Sequence, residues 1–374
     1  MSQRHLIVSA VNFSEGGPLT VLIDSLDAAA ATLGPEWRIT ALVHDRKLIR
    51  NLRVETIAFP QSKRSWFTRL RLEWWGFRTL SRRLKPDLWL SLHDMTPRVN
   101  ARRQAVYCHN PSPFYRISPV EAWFDPRFFL FNLFYMRLYA LFIRRNYAVI
   151  VQQSWLRSAF RQKTGHPNIV VARPAPPAAE GTTTINAELA GLRIPTSIRP
   201  LRLLYPALPR VFKNVEVLCK AMTLLSPEIA ALVNLRLTFD GTENRWARRM
   251  ARSYRATPGI SLLGRQDRAQ MASEYENCDA VLFPSRLETW GLPITEAKSF
   301  GKPLLVADLP YAHETVGDYA NVAFVPVDDP QSWADAICRM ATGAWSAQSH
   351  DSRDIEHPFM AGWPALWRYL VREL

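Results

Sequence analysis

The chain is poor in several things that would have pointed elsewhere. Glycine occupies only 15 of 374 positions, which excludes collagen-like and glycine-rich low-complexity architectures. The four cysteines, Cys108, Cys219, Cys278 and Cys338, are scattered. No two stand at metal-ligand spacing, so each reads as a small buried hydrophobe in a reducing compartment. No secretory leader is legible, because Met1-Ser-Gln-Arg-His runs straight into Leu6-Ile-Val8, a first strand; a cytoplasmic location is the expectation. The most tempting membrane span, within Trp123–Ile143, has its longest apolar part from Phe128 to Ile143, interrupted by Asn132 and Arg137. That falls short of the roughly 20 apolar residues a span needs. No Asp-x-Asp metal site is convincing either: Asp328-Asp329-Pro330 reads as a loop before a helix, and no metal or cofactor is expected. Acidic residues are scarce in one half. Residues 1–190 hold 26 Lys+Arg against 13 Asp+Glu, and the remainder 21 against 20. Nearly the whole formal charge of +14 therefore lies in the amino-terminal half, which suggests an anionic partner, nucleic acid or a phospholipid surface.

Hydrophobic residues make up 48% of the chain, so it is globular, and its length suggests two domains of about 150–200 residues each. Strand-like apolar runs alternate with helix-like segments. Leu6–Ala10 is followed by the turn Gly16-Gly17-Pro18 and a helix over Leu19–Ala31. Ile39–Val43, Asp87–Leu92, Gln104–Cys108, Ala148–Val151 and Ile169–Ala172 read as further strands, with a helix over Ser154–Lys163. The Pro- and Gly-bearing polar stretch from Pro174 to Thr184 reads as a linker. A second alternation begins at Leu201–Tyr205. Helices over Asn214–Leu225, Arg245–Ala256, Ala269–Asn277 and about 293–300 separate strands at Leu235–Phe239, Ile260–Leu262, Ala280–Phe283 and Pro303–Val306. The pattern predicts an α/β protein of two Rossmann-like parallel-sheet halves, 1–180 and 181–355, facing across a cleft. Ligands of such sheets bind beyond the carboxyl ends of the strands.

In the second half, LETWGLPITEA (Leu287 to Ala297) joins a strand to a helix, with Glu288 before the turn and Glu296 one turn into the helix. Gly291-Leu292-Pro293 supplies the turn and an early helical proline. The helix start offers unpaired N–H groups and a positive dipole end, suited to a phosphate. Taken alone, Glu296 is an ordinary solvated helix-start acid. A second constellation weakens that reading: YPALPRVFKN (Tyr205 to Asn214) also joins a strand to a helix, and places Arg210 and Lys213 where two cations could hold a departing diphosphate.

Together these residues resemble a known family. The order Phe-Lys-Asn before a helix, Phe239-Asp-Gly-Thr, Leu263-Gly264, Phe283-Pro-Ser285, Glu288-x7-Glu296-Ala, Gly301-x-Pro303 and His313-Glu-Thr315 looks like the nucleotide-sugar half of retaining glycosyltransferases of family 4, which have the GT-B fold. The resemblance covers about residues 201–330 and reaches the first half more weakly through Gly16-Gly17. VYCHNPSPFY (Val106 to Tyr115), Gln152-Gln153-Ser-Trp155 and the Tyr205–Asn214 stretch look most like bacterial enzymes that build O-antigen or capsule repeats.

The resemblance implies roles. Glu296 would hold the donor ribose. Glu288 and the backbone of Trp290, Gly291 and Leu292 would hold the donor sugar and its phosphates. Lys213 and Arg210 would neutralise the nucleoside diphosphate, and Gly16 and Gly17 would let their loop approach the phosphates. His109 would lie near the reacting carbon, and Leu263, Gly264 and Arg265 would line the base pocket. A last helix over 356–374 would cross back to the first domain. The anomeric configuration would be retained, without a metal. Two departures stand out: Arg210 and Lys213 are three apart where the family usually has about five, and Thr242-Glu243 follows Gly241 where a glycine is usual. UDP-, GDP- and dTDP-linked sugars all remain open as donor.

Residues 63–85 carry eight basic side chains and one acid, Glu73. Phe67, Leu70, Trp74, Phe77, Leu80 or Ser81, and Leu84 form an apolar stripe at three- and four-residue steps. Arg64, Arg71, Arg78, Arg82 and Lys85 fall on another face. Trp66, Phe67, Trp74 and Trp75 beside these arginines have the composition of a helix lying in a membrane interface. The bland alternative is a helix packed on the sheet with solvated cations, and a nucleic-acid surface is weaker still. The expected partners are thus a nucleotide sugar, a polyprenyl-diphosphate-linked glycan acceptor and the anionic inner face of the cell membrane, with no nucleic acid. The rival readings are a nucleotide-sugar epimerase or phosphorylase of the same fold, and a non-catalytic basic membrane- or RNA-binding scaffold. A scaffold has no use for Glu288, Glu296 and Lys213 around one hollow.

Overall fold

The computed structural model describes residues 3–14, 16–173, 192–348 and 354–374. The expected linker over 174–184 lies outside the described residues. Strands β1 (Arg4–Ser9), β2 (Trp37–Val43), β3 (Val54–Ala58), β4 (Leu88–Ser91), β5 (Arg103–Tyr107), β6 (Ala148–Val151) and β7 (Ile169–Arg173) come first in the chain. They are followed by β8 (Leu201–Tyr205), β9 (Val233–Leu237), β10 (Ile260–Leu262), β11 (Ala280–Phe283), β12 (Leu304–Ala307), β13 (Val322–Val325) and, near the end, β14 (Phe359–Ala361). They form two sheets, one in the order β14-β7-β6-β5-β4-β1-β2-β3 and one in the order β10-β9-β8-β11-β12-β13. Every pairing in both is parallel. The central strands are nearly continuous apolar runs with both faces buried, as in Ala148–Val151 and Ala280–Phe283, the signature of a parallel sheet covered by helices on each side.

The chain divides into two compact units. One holds residues 1–114, 132–175 and 355–374, the other 115–131 and 176–354. Residues 115–131 thus group with the second unit although a contiguous first domain was expected to contain them. The reason is aromatic packing: Phe128 lies 4.9 Å from Phe212, Phe124 5.4 Å from Trp246, and Tyr115 6.4 Å from Phe212.

Helices α1 (Gly16–Thr32), α2 (Trp66–Arg71), α3 (Phe77–Leu84) and α6 (Ser154–Thr164) belong to the first unit, α4 (Pro119–Phe124) to the second, and α5 (Pro126–Ala140) is divided between them at residue 131. The second unit adds α7 (Val215–Leu224), α8 (Pro227–Ala230), α9 (Arg245–Tyr254), α10 (Arg268–Asn277), α11 (Leu292–Ser299), α12 (Pro310–Val316) and α13 (Pro330–Ala341). The last helix, α14 (Gly362–Val371), groups with the first unit. It buries Trp363, Leu366, Trp367 and Leu370 in the core of that unit, where Trp367 Nε1 donates to the Ser25 carbonyl at 2.8 Å. Burying such side chains stabilises by roughly 1.5–3 kcal/mol each.

The stretch 66–84 differs from the stripe read in the sequence. A π-helical turn over Leu72–Gly76 separates α2 from α3. The wider turn carries about one residue more than an α turn, so steps of four stay on one face. The buried line is Arg69, Glu73, Phe77 and Ser81. Phe67, which belongs to the apolar stripe and to the aromatic set read as a membrane face, is 83% exposed, and Trp75 is 58% exposed. Leu80 and Leu84, on the same stripe, pack beside Phe77 and Trp89. Among the described residues no helix is long and apolar enough to cross a membrane.

Candidate functional site

In the second sheet β8 lies between β9 and β11. Chain order reverses there, so the connections leaving the carboxyl ends of β8 and β11 run to opposite sides and leave a crevice between them, the usual ligand position of such sheets. Both sequence-singled stretches are those two connections. Asn214 sets their geometry. It is fully buried with φ +55°, a left-handed conformation that asparagine tolerates better than most side chains. Its Nδ2 donates to the carbonyls of Val327 at 2.7 Å and Pro284 at 3.2 Å. The Arg286 N–H donates to the Phe212 carbonyl at 2.8 Å, the Tyr205 hydroxyl donates to the Lys213 carbonyl, and the Tyr311 hydroxyl donates to the Ser285 carbonyl at 2.7 Å. The two loops are thereby stitched together through backbone atoms.

On this frame Lys213 and Glu288 meet. Lys213 Nζ lies 2.5 Å from Glu288 Oε1, with 18% and 12% of the two side chains exposed. The ammonium also sits 5.6 Å and 5.7 Å from the Phe212 and Phe283 rings. Burial and the Glu288 charge push the Tyr205 and Tyr311 hydroxyls well above their ordinary pKa, so both stay donors. Arg210 takes a different partner. Its Nε lies 2.7 Å from Asp125 Oδ2, and its guanidinium packs near Phe128 and Phe212.

Helix α11 begins after Gly291, whose φ of +82° only glycine adopts freely. Pro293 falls in its first turn. Trp290 is held by its indole N–H on Thr295 Oγ1 at 3.0 Å, and its carbonyl accepts from the Thr315 hydroxyl. Leu292 is exposed. Glu296, one turn in, accepts a 2.6 Å hydrogen bond from Tyr275. Gly264, φ +72°, lies beside Asp240: a Cβ there would come within 3.3 Å of its Oδ2. Arg265 next to it is exposed.

In the first unit, the order reverses at β1, between β2 and β4. Gly16, φ +65°, and Gly17 open α1 after β1. His109 follows β5, and Asp94 holds its loop. Asp94 is buried with φ +69°, and its carboxylate accepts from the backbone N–H of His109 at 2.7 Å and Asn110 at 3.1 Å, and from the hydroxyls of Tyr139 at 2.9 Å and Tyr135 at 3.2 Å. The His109 ring meets Phe13 edge-on at 5.3 Å. Behind this loop lies a buried set: Ser9 Oγ is 3.2 Å from His93 Nε2, His93 Nδ1 is 3.1 Å from Glu73 Oε1, and Arg69 Nε is 3.7 Å from that same oxygen. Arg64, Trp66, Phe67, Arg71, Trp75, Arg78 and Arg82 are exposed, while Trp74 is half-buried against Phe142.

Asp94, Tyr275 and Tyr311 were not singled out in the sequence, and Thr315 entered only as the end of the His313-Glu-Thr315 motif. Tyr275 precedes Cys278 in an unremarkable helix, and only its contact with Glu296 marks it. Among the described residues no group of three His, Cys, Asp or Glu side chains could hold a metal ion.

Two units, each a wholly parallel sheet covered by helices, define the GT-B class of fold. Solved structures of that class agree. The glycosyltransferase WaaG, involved in lipopolysaccharide biosynthesis, superposes with a TM-score of 0.63 at 14% identity over 90% of each chain. Anabaena Alr3699/HepE in complex with UDP-glucose superposes with a TM-score of 0.57 at 16% identity, over 91% of this chain and 92% of that one. Residues 199–349, which fall within the second unit, match the family model of glycosyl transferases group 1. A D-inositol 3-phosphate glycosyltransferase of Stackebrandtia nassauensis is 27% identical over 140 residues, 35% of this chain and 32% of that relative. The chain spans about a third of that relative's length, and 43% of the similar enzyme of Xylanimonas cellulosilytica.

Proposed function

We propose that the chain is a hexosyltransferase that moves a sugar, with retention of configuration, from a nucleoside-diphosphate sugar to a lipid-linked glycan acceptor. The observation that carries this reading is the Lys213–Glu288 pair at the sheet's switch point, beside the helix that bears Glu296. In this reading the diphosphate enters beside Lys213, whose ammonium exchanges part of its pairing with Glu288 for phosphate oxygens. Glu288 then accepts from hydroxyls of the donor sugar. Charge on the departing diphosphate is met by Lys213, by Arg210 once it leaves Asp125, and by the amino end of α11. No metal ion is required in this scheme. Glu296 accepts from the ribose. Solved neighbours with UDP-glucose bound and with a lipopolysaccharide role support the donor class and the envelope-glycan setting.

The acceptor side of the reading rests on the exposed Trp66, Phe67 and Trp75 among Arg64, Arg71 and Arg78. Rings that reach the headgroup level beside cations suit an anionic lipid surface, such as the inner face of a cell membrane where O-antigen, core or capsule glycans are assembled. The test is calorimetry with UDP, GDP and dTDP, followed by transfer from the corresponding sugars to a membrane fraction. Binding of one nucleotide, lost in Lys213→Ala and Glu296→Ala, is the expected result. A folded wild-type protein indifferent to all three would overturn the reading.

A further inference from the structure

Tyr275 is 3% exposed, and its ring lies flat on Phe300, centroids 5.4 Å apart at 10°. Phe300 caps the carboxyl end of α11, so the tyrosine is clamped by the helix that carries Glu296. Its hydroxyl donates to Glu296 Oε2 at 2.6 Å, a short bond of the charge-assisted kind. Burial first, and then the Glu296 charge, push this hydroxyl well above its ordinary pKa. It therefore stays protonated and acts towards the carboxylate only as a donor. Among the described residues nothing bonds to Glu296 Oε1.

A glutamate on a helix surface has three rotatable torsions, and holding it in one arrangement costs conformational entropy. Anchoring one oxygen removes most of that freedom before any ligand arrives. The anchored carboxylate keeps Oε1 and one lone pair on Oε2, which suits two neighbouring hydroxyls, as on a ribose, and not an anion. We propose that Tyr275 is a positioning residue for nucleotide recognition: it fixes one oxygen of Glu296 and so presents the other to the ring hydroxyls of a donor ribose. This rests on the reading of Glu296 as the ribose-binding side chain.

The experiment measures a ratio. UDP, GDP and dTDP are each titrated by calorimetry beside the analogue that lacks the ring hydroxyls, against the full-length protein. For the nucleotide that binds, the wild type is expected to prefer the hydroxylated form by about tenfold, the worth of a hydrogen bond to a charged group. Tyr275→Phe keeps the stacked ring. It is expected to cut that ratio about three- to tenfold, to leave the analogue's Kd within about twofold, and to change nothing further in a Glu296→Gln background. A Tyr275→Phe protein with the wild-type ratio, or one that weakens both forms equally, overturns the proposal alone. A wild type with no preference, or a Glu296→Gln protein that keeps it, removes the ribose role of Glu296 and the proposal with it. If thermal unfolding shows that Tyr275→Phe does not fold, Phe300→Leu loosens the same clamp. It too must lower the ratio, and an unchanged ratio overturns the proposal.

Discussion

Lys213 Nζ and Glu288 Oε1 lie 2.5 Å apart, although 75 residues separate them in the chain. Both side chains are largely out of solvent, so neither charge is well hydrated when the other is removed. Lys213→Ala is expected to destabilise the second unit by about 1–3 kcal/mol, and Lys213→Ala/Glu288→Ala by less than the sum of the single changes. Denaturant unfolding of the four proteins measures the coupling. Additive effects would mean that the two charges do not sense each other.

Arg210 meets Asp125 at 2.7 Å, so this cation is engaged before any anion arrives. Removing the carboxylate should therefore free it. Asp125→Asn is expected to strengthen binding of inorganic pyrophosphate or a nucleoside diphosphate by about threefold to tenfold at low salt, with the gain fading above the salt concentration that screens exposed pairs. Calorimetry at two ionic strengths checks both parts.

Asn214 combines a left-handed backbone with two buried hydrogen bonds. Asn214→Ala loses the bonds and strains φ, and is expected to cost about 2–4 kcal/mol. Asn214→Gly loses the bonds alone and should cost less. Chemical denaturation that ranked glycine below alanine would contradict this account of the loop.

The buried set in the first unit gives a pH signature. Burial pushes Glu73 from 4.5 up to about 8, against the pull of Arg69. Burial, then Arg69 and His109, push His93 well below its ordinary 6.5. Folded, the pair therefore carries one proton, on Glu73, across the neutral range. From 4.5 to 6.5 the unfolded chain also carries one, on His93, and the contribution is flat. From 6.5 to about 8 the unfolded chain carries none, so stability falls as pH rises. Below 4.5 the unfolded chain carries two, and stability falls as pH drops. Thermal unfolding across pH should show the loss above 6.5 in the wild type and a flatter profile there in Glu73→Gln.

Phe67 and Trp75 are exposed at 83% and 58%, and replacing both should cost little fold stability. Phe67→Ser/Trp75→Ser is expected to reduce partition onto anionic vesicles about tenfold or more with the melting temperature nearly unchanged, since each ring buried in the interface is worth roughly 1.5–3 kcal/mol. Equal partition of variant and parent, measured by vesicle sedimentation, would remove the aromatic face from the membrane reading.

Much of the second unit was legible because its strands are short apolar runs bounded by turn residues. β8, β10 and β11 have the residues that the pattern implied. β3, β13 and β14 were not read. Val54–Ala58 carries Glu55 and Thr56, and Phe359–Ala361 is only three residues long, so neither stands out from its surroundings by composition alone. The helix at 66–84 was read as a helix, but its buried line of Arg69, Glu73, Phe77 and Ser81 is not the apolar stripe that the periodicity drew. Periodicity counts an unbroken 3.6-residue turn, and the π turn at Leu72–Gly76 breaks that count.

By itself the sequence determined that two α/β units would form, that Glu288, Arg210 and Lys213 would sit on strand-to-helix connections, and that Glu296 would lie one turn into the helix that follows. Those are matters of local pattern and of which side chains tolerate which backbone angles. Only the tertiary structure decided who meets whom: Glu288 for Lys213, Asp125 for Arg210, Tyr275 for Glu296, Asp94 for the His109 loop. It also decided that residues 115–131 group with the second unit. Pairings of this kind are set by strand order and by which loops the switch point brings together, and distance along the chain carries no record of either.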